Sequence, residues 1–284
     1  DKALNIDDEV FIEWIKKLAI ASNMEIVDFI DLQQALVSRI DFFHEVGCRI
    51  SDHALDEVSY QETSIEEVSA IFKKRMTNSN NLTWEEIKKY KGFMLIFFGQ
   101  EYAKRGWTQQ YHINARRNLS TKSQKMIGVD SGFDGINDSM IVTKLVNILD
   151  QLEMLNGLPK TIFYSLNSKD NETLATICNC FNEKNIKGKM QLGSAWWFHD
   201  QKAGMMQQMT TLANMGLISN FVGMVTDSRS FLSYPRHDYF RRLLCNLFGN
   251  LIETGEYPND LEFVGEIIKD ICYNNAKNYF RLEL

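Results

Sequence analysis

Proline is nearly missing from this sequence, with three residues in 284. No proline-rich linker divides the chain, and a single domain over residues 1–284 is the simplest organisation. Long apolar runs are missing too. The longest strongly apolar stretch, 92–99, falls far short of the roughly twenty residues a membrane helix needs, and no charged-then-apolar leader opens the sequence. Cysteine is sparse and odd in number, at Cys48, Cys178, Cys180, Cys245 and Cys272, without the C-x2-C spacing of a zinc knuckle. These read as the reduced thiols of a cytoplasmic protein. Neither sign of charge dominates: 31 basic against 37 acidic residues leave a net charge of -6, and the basic residues are scattered. No nucleic-acid patch and no polybasic membrane face is expected.

What the chain does have is core material, 44% hydrophobic residues in a length suited to one large domain. Helical periodicity covers 7–23, where Val10, Phe11, Ile15, Leu18 and Ala19 recur on one face, and 29–46, which stops at Gly47. Ser64 with Glu67 and Thr83 with Glu86 form capping-box patterns that start two more helices, the second ending near Gly106. Later helices are expected over 138–156, 171–184, 202–215, 235–254 and 260–280. Short apolar segments between them read as strands: 48–53, 107–113, 161–166, 189–193 and 221–226. Residues 114–137, rich in Arg, Asn, Ser, Gly and Asp, read as a long functional loop. Strands alternating with helices predict an α/β fold built on a parallel sheet.

In such a fold, polar groups at the carboxyl ends of strands face the crevice where ligands bind. The strand ends here carry Arg49, Asp52 and His53; His112; Asn167; Trp196 and Trp197; and Asp227 with Arg229. Guanidinium groups together with imidazoles and carboxylates suit a small anionic ligand, with a carboxylate or a metal for proton work. Each residue has a plainer reading as well. Asp227 can cap a turn with Arg229 as its ion partner, Asp52 and His53 can cap a helix, His112 can be a hydrogen-bonded core histidine, and the tryptophans can be packing.

Five stretches carry a resemblance: GCRISDHALD (47–56), DSGFDGI (130–136), residues 166–175, GSAWWFHDQKAGM (193–205) and FVGMVTDSRSFLSYPRHDYFRRLLCNL (221–247). Together they resemble the uronate (glucuronate) isomerases of the amidohydrolase superfamily, over essentially the whole sequence. The resemblance implies a (β/α)8 TIM barrel that interconverts D-glucuronate with D-fructuronate and D-galacturonate with D-tagaturonate. It also implies a divalent metal, commonly zinc, at the carboxyl face of the barrel.

The family's first-strand metal motif, His-x-His, does not occur among the five histidines at 44, 53, 112, 199 and 237. With five expected strands, the chain looks like the carboxyl-terminal portion of such an enzyme. By this resemblance Asp227 is a metal ligand or the base that moves a proton between C2 and C1, and His112 is a second metal ligand. Arg229 and Arg49 hold the uronate carboxylate or stabilise enediolate charge, and His53, Trp196 and Trp197 line the sugar site. Two alternatives stay open: a metal-dependent hydrolase of the same superfamily, and a fragment without catalysis of its own that either folds as an open α/β half-structure or associates with itself to cover its sheet edges.

Overall fold

The computed structural model describes residues 1–77, 81–224, 228 and 230–282. The chain falls into two compact units, the first formed by Asp1–Gln109 and Ser139–Lys160, the second by Gln110–Asp138 and Thr161–Leu284. No helix among the described residues is long and apolar enough to cross a membrane.

The first unit holds helices α1 (Phe11–Ser22), α2 (Phe29–Glu45), α3 (Ile65–Met76), α4 (Trp84–Lys104) and α6 (Val142–Met154), strand β1 (Ile50–Leu55) and the start of β2 (Thr108–Ile113). Its helices begin where the capping patterns place them. Ser64 and Thr83 each accept the backbone N–H of the glutamate three residues on, and each glutamate accepts the cap's own N–H in return. Phe11, Phe29, Phe72 and Tyr90, all fully buried, pack edge-on or tilted at centroid distances of 6.0–6.4 Å. Tyr90 hides its hydroxyl in this core by donating to the Ala3 carbonyl at 3.0 Å. Gly99 is required where α4 meets α6, since a Cβ there would lie 2.8 Å from the Leu152 methyls.

The second unit carries the rest of β2, then β5 (Lys160–Ser165) from its second residue and β6 (Met190–Leu192), in the order β2-β5-β6. β5 and β6 are parallel, with Thr161 opposite Met190 and Phe163 opposite Leu192. The carboxyl ends lie side by side: Leu166 N–H donates to the Ile113 carbonyl at 2.9 Å, and Gly193 N–H to that of Phe163 at 2.7 Å. Helices α7 (Asn171–Cys180) and α8 (Lys202–Met215) follow β5 and β6, and α9 (Pro235–Glu253), α10 (Leu261–Lys269) and α11 (Asn275–Phe280) close the chain.

Three expectations change. The polar stretch 114–137 has structure of its own: strands β3 (Ala115–Arg116) and β4 (Gly135–Ile136) pair antiparallel around helix α5 (Thr121–Ile127). The helix expected over 260–280 is interrupted by a π-helical turn, Asp270–Asn274. No strand is assigned at 221–224, because side chains take over the backbone groups that a ladder would use, and the remainder of that expected strand, 225–226, lies outside the described residues. The described residues therefore give an α/β fold with a parallel sheet.

Candidate active site

The carboxyl ends of β2, β5 and β6 gather polar and aromatic groups within the second unit. His112, next to last in β2, stacks its imidazole flat on the Tyr164 ring, with centroids 4.5 Å apart and planes 8° from parallel. Trp196, in the loop that leaves β6, meets the other side of this cluster, 4.6 Å from His112 and 4.7 Å from Trp197. The Tyr164 hydroxyl donates to Gln110 Oε1 at 2.9 Å. Rings so locked present a rigid wall.

A cation stands against this wall. The Arg117 guanidinium, just past β3, sits 5.0 Å over the Trp197 ring and is paired with Asp130 at 3.1 Å and Asp134 at 3.9 Å. Trp197 itself has φ +47, a left-handed backbone that a bulky residue adopts only under constraint from its surroundings. Such strain collects at binding and catalytic sites.

Beneath the wall, the buried Asp170 carboxylate accepts hydrogen bonds from Asn114 Nδ2 at 2.7 Å and Ser165 Oγ at 2.6 Å, joining the ends of β2 and β5. Asn114, fully buried with φ +64, also accepts from Asn137 N–H at 2.8 Å, which anchors the far end of the 114–137 segment. Asn167 Nδ2 donates to the Asn137 carbonyl at 3.0 Å and lies by Asp138 Oδ1 at 3.3 Å. Asp200, three residues after Trp197, pairs with Arg236 in the first turn of α9. The aromatic loop is thus tied at both ends.

Of the site residues expected from the sequence, His112, Trp196 and Trp197 come together here. Arg49 and His53 are placed differently, both within the first unit. β1 begins at Ile50, so Arg49 stands at its amino end, where its guanidinium donates to the carbonyls of His44 at 2.9 Å and Cys48 at 2.8 Å. His53 lies inside β1, buried against Phe98 and hydrogen-bonded to the Tyr102 hydroxyl at 3.0 Å. Burial lowers its pKa to about 3, so it is neutral. Asp227 and Arg229 lie outside the described residues.

Arg117, Tyr164 and Asp170 were not singled out as site residues from the sequence. The one signal for Tyr164 was its place next to last on a buried strand, matching that of His112 on β2. A cleft also runs along β6, lined by Met190, Gln191 and Leu192 together with Cys178, Lys187 and Leu217, and none of the aromatic residues of the wall lines it. Among the described residues no three His, Cys, Asp or Glu side chains come together to hold a metal ion. His112 faces two aromatic rings, and the described residues do not by themselves fit a divalent centre.

A parallel α/β sheet that gathers an aromatic wall, an ion-paired guanidinium and buried carboxamide–carboxylate contacts at its strand ends has its polar groups where α/β enzymes place their sites. The comparisons narrow that class. The glucuronate isomerase family model matches residues 1–280, and the chain belongs to that family. It is 56% identical over 280 residues to the uronate isomerase of Caldicellulosiruptor bescii, covering 99% of this chain and 60% of that protein. Identity to the uronate isomerase of Bacillus licheniformis is 51% over 284 residues, again 60% of its length. The crystal structure of the Thermotoga maritima uronate isomerase superposes with a TM-score of 0.91 at 32% identity, covering 99% of this chain and 60% of that one. The glucuronate isomerase of Caulobacter crescentus gives 0.89 at 25% identity, covering 100% and 57%. The chain therefore spans about 60% of the length of the curated relatives it matches.

Proposed function

We propose that this chain supplies the catalytic face of a uronate isomerase, which converts D-glucuronate to D-fructuronate and D-galacturonate to D-tagaturonate. The observation that carries the reading is family membership over residues 1–280, joined to an aromatic and guanidinium wall at the strand ends. The scaffold in this reading is a (β/α)8 barrel of the amidohydrolase type, to which the chain contributes part of the strands.

The reaction moves the C2 hydrogen to C1 as a proton through a cis-enediol, while the O2 hydroxyl proton passes to O1. It needs a carboxylate within hydrogen-bond reach of C2 and a donor near the carbonyl oxygen. Asp227 is assigned the first role, and Arg229 stabilises the enediolate charge. Trp196 and Trp197 pack against the C–H face of the sugar. The His112 imidazole, held flat on Tyr164, hydrogen-bonds a substrate hydroxyl. Arg117 is the described guanidinium best placed to receive the uronate carboxylate, because a planar fork matches it bidentately. Arg49 donates through Nη1 alone to two backbone carbonyls, and the carboxylate is assigned to Arg117. A divalent metal bound through Asp227 and groups outside the described residues would polarise the carbonyl.

The test is a chimera in which this chain replaces the matching 60% of the Caldicellulosiruptor bescii relative. The chimera is expected to convert D-glucuronate to D-fructuronate, followed by NMR in deuterated water. Asp227→Asn should cut kcat by about a hundredfold or more, the scale of a lost acid–base group, with the circular dichroism unchanged. A near-normal kcat in that variant removes Asp227 from the chemistry. Lactone or ester hydrolysis without isomerisation would replace the isomerase reading.

A further inference from the structure

Residues 219–222 lead toward Asp227 and Arg229, yet their backbone is held chiefly by side chains. Asn275 Nδ2 donates to two carbonyls, those of Ser219 at 2.8 Å and Phe221 at 2.9 Å. Gln191, on β6, donates through Nε2 to the Asn220 carbonyl at 3.1 Å and accepts the Val222 N–H on Oε1 at 3.2 Å. A carboxamide offers one acceptor and two donors, so it can meet an N–H and a C=O together, as a neighbouring strand would.

Both amides are fixed from behind. Gln191 is buried and folds over Gly188, where a Cβ would lie 2.8 Å from its Nε2. Asn275 directly follows the π-helical turn Asp270–Asn274, which brings the Ile271 carbonyl so close to Gly223 that a Cβ there would lie 2.4 Å away. Gly223 has φ +76, so both its backbone and its surroundings demand glycine. Single-turn π-bulges of this kind are frequent at functional sites.

We propose that Gln191 and Asn275 are positioning residues, whose carboxamides replace a strand ladder and fix where the backbone leaves Met224 toward Asp227 and Arg229. The catalytic consequence rests on the isomerase reading above, whereas the seat itself does not.

Two near-isosteric variants test it. Asn275→Asp sets a carboxylate against two carbonyls and loses both bonds, while Gln191→Glu keeps the acceptor for Val222 N–H and loses the donor to Asn220. In the 284-residue chain, amide hydrogen exchange at 220–224 is expected to quicken about tenfold or more in Asn275→Asp and less in Gln191→Glu, with exchange in α3 and α4 unchanged. In the chimera, kcat should fall about tenfold while KM stays within about twofold, since the variants touch no substrate. Unchanged exchange at 220–224 in both variants overturns the proposal, as does a rise spread evenly over the chain in the milder Gln191→Glu. An unaltered kcat in a chimera that turns over overturns the catalytic consequence. A wild-type chimera without isomerase activity counts against the functional reading, and hydrogen exchange then decides the seat alone.

Discussion

The position of the His112 imidazole depends on a missing side chain. A Cβ added at Gly193 would lie 2.4–2.8 Å from three atoms of the Tyr164 ring, and that ring is what His112 stacks on. Tyr164 cannot retreat cheaply, because it is buried and its hydroxyl is engaged by Gln110. Gly193→Ala is therefore expected to push the ring off its stack and destabilise the chain by about 1–3 kcal/mol, the usual cost of overpacking a filled core. Urea denaturation measures the loss, and near-ultraviolet circular dichroism should change in the aromatic bands. A variant with wild-type midpoint and spectrum would show that the ring has room. Residue identity alone made His112, Trp196 and Trp197 visible as candidates, because each falls where a strand ends. It left the partners of Arg49 open, since guanidinium chemistry says nothing about whether the fork meets a ligand or nearby backbone, and its Nη1 donates to the carbonyls of His44 and Cys48.

Among the elements, the helices were the most legible, because their signals are local. A capping box needs two residues three apart, and both patterns read at Ser64 and Thr83 open a helix as expected. Each glutamate of the pair also reaches across to the other helix: Glu86 meets Lys74 of α3 at 2.9 Å, and Glu67 meets Lys89 of α4 at 2.9 Å. The caps thus start the helices and also dock them. Thr83→Ala removes the hydroxyl that accepts Glu86 N–H at 3.1 Å and should cost about 1 kcal/mol. Hydrogen exchange in the first turn of α4 should rise more than at its centre, and equal change along the helix would argue against a cap effect. The segment 221–224 shows the opposite case. Its sequence is as apolar as that of a buried strand, but its hydrogen-bond partners are side chains 31 and 54 residues away, and no window of sequence contains them. The π-helical turn that carries Asn275 into place is equally silent, since its residues have an ordinary helical pattern.

For the whole molecule, the α/β class followed from the alternation of strands and helices, and the family from motifs spread along the chain. The described residues go as far as a parallel sheet, in a chain that spans about 60% of the length of its relatives. One property of the chain as a whole follows from a single buried group. His53 is 4% exposed, faces Tyr102, Phe98 and the carboxylate of Asp1, and has Asp52 beside it in sequence. Burial holds its pKa at about 3, against an ordinary value of 6.5. Because the folded value is the lower one, the unfolded chain takes up a proton first as pH falls. The stability tied to neutral His53 is complete above pH 6.5 and drains away between 6.5 and 3. By pH 5 the loss reaches about 2 kcal/mol, at 1.36 kcal/mol per unit below the unfolded pKa, and this figure changes little if the folded value is a unit higher or lower. His53→Gln keeps a polar partner for the Tyr102 hydroxyl and cannot titrate. The stability gap between wild type and His53→Gln in urea should therefore narrow by about 2 kcal/mol from pH 7.5 to pH 5. A gap that stays constant across that range would mean that the folded chain accommodates the imidazolium, and that β1 is open to water where it meets α4.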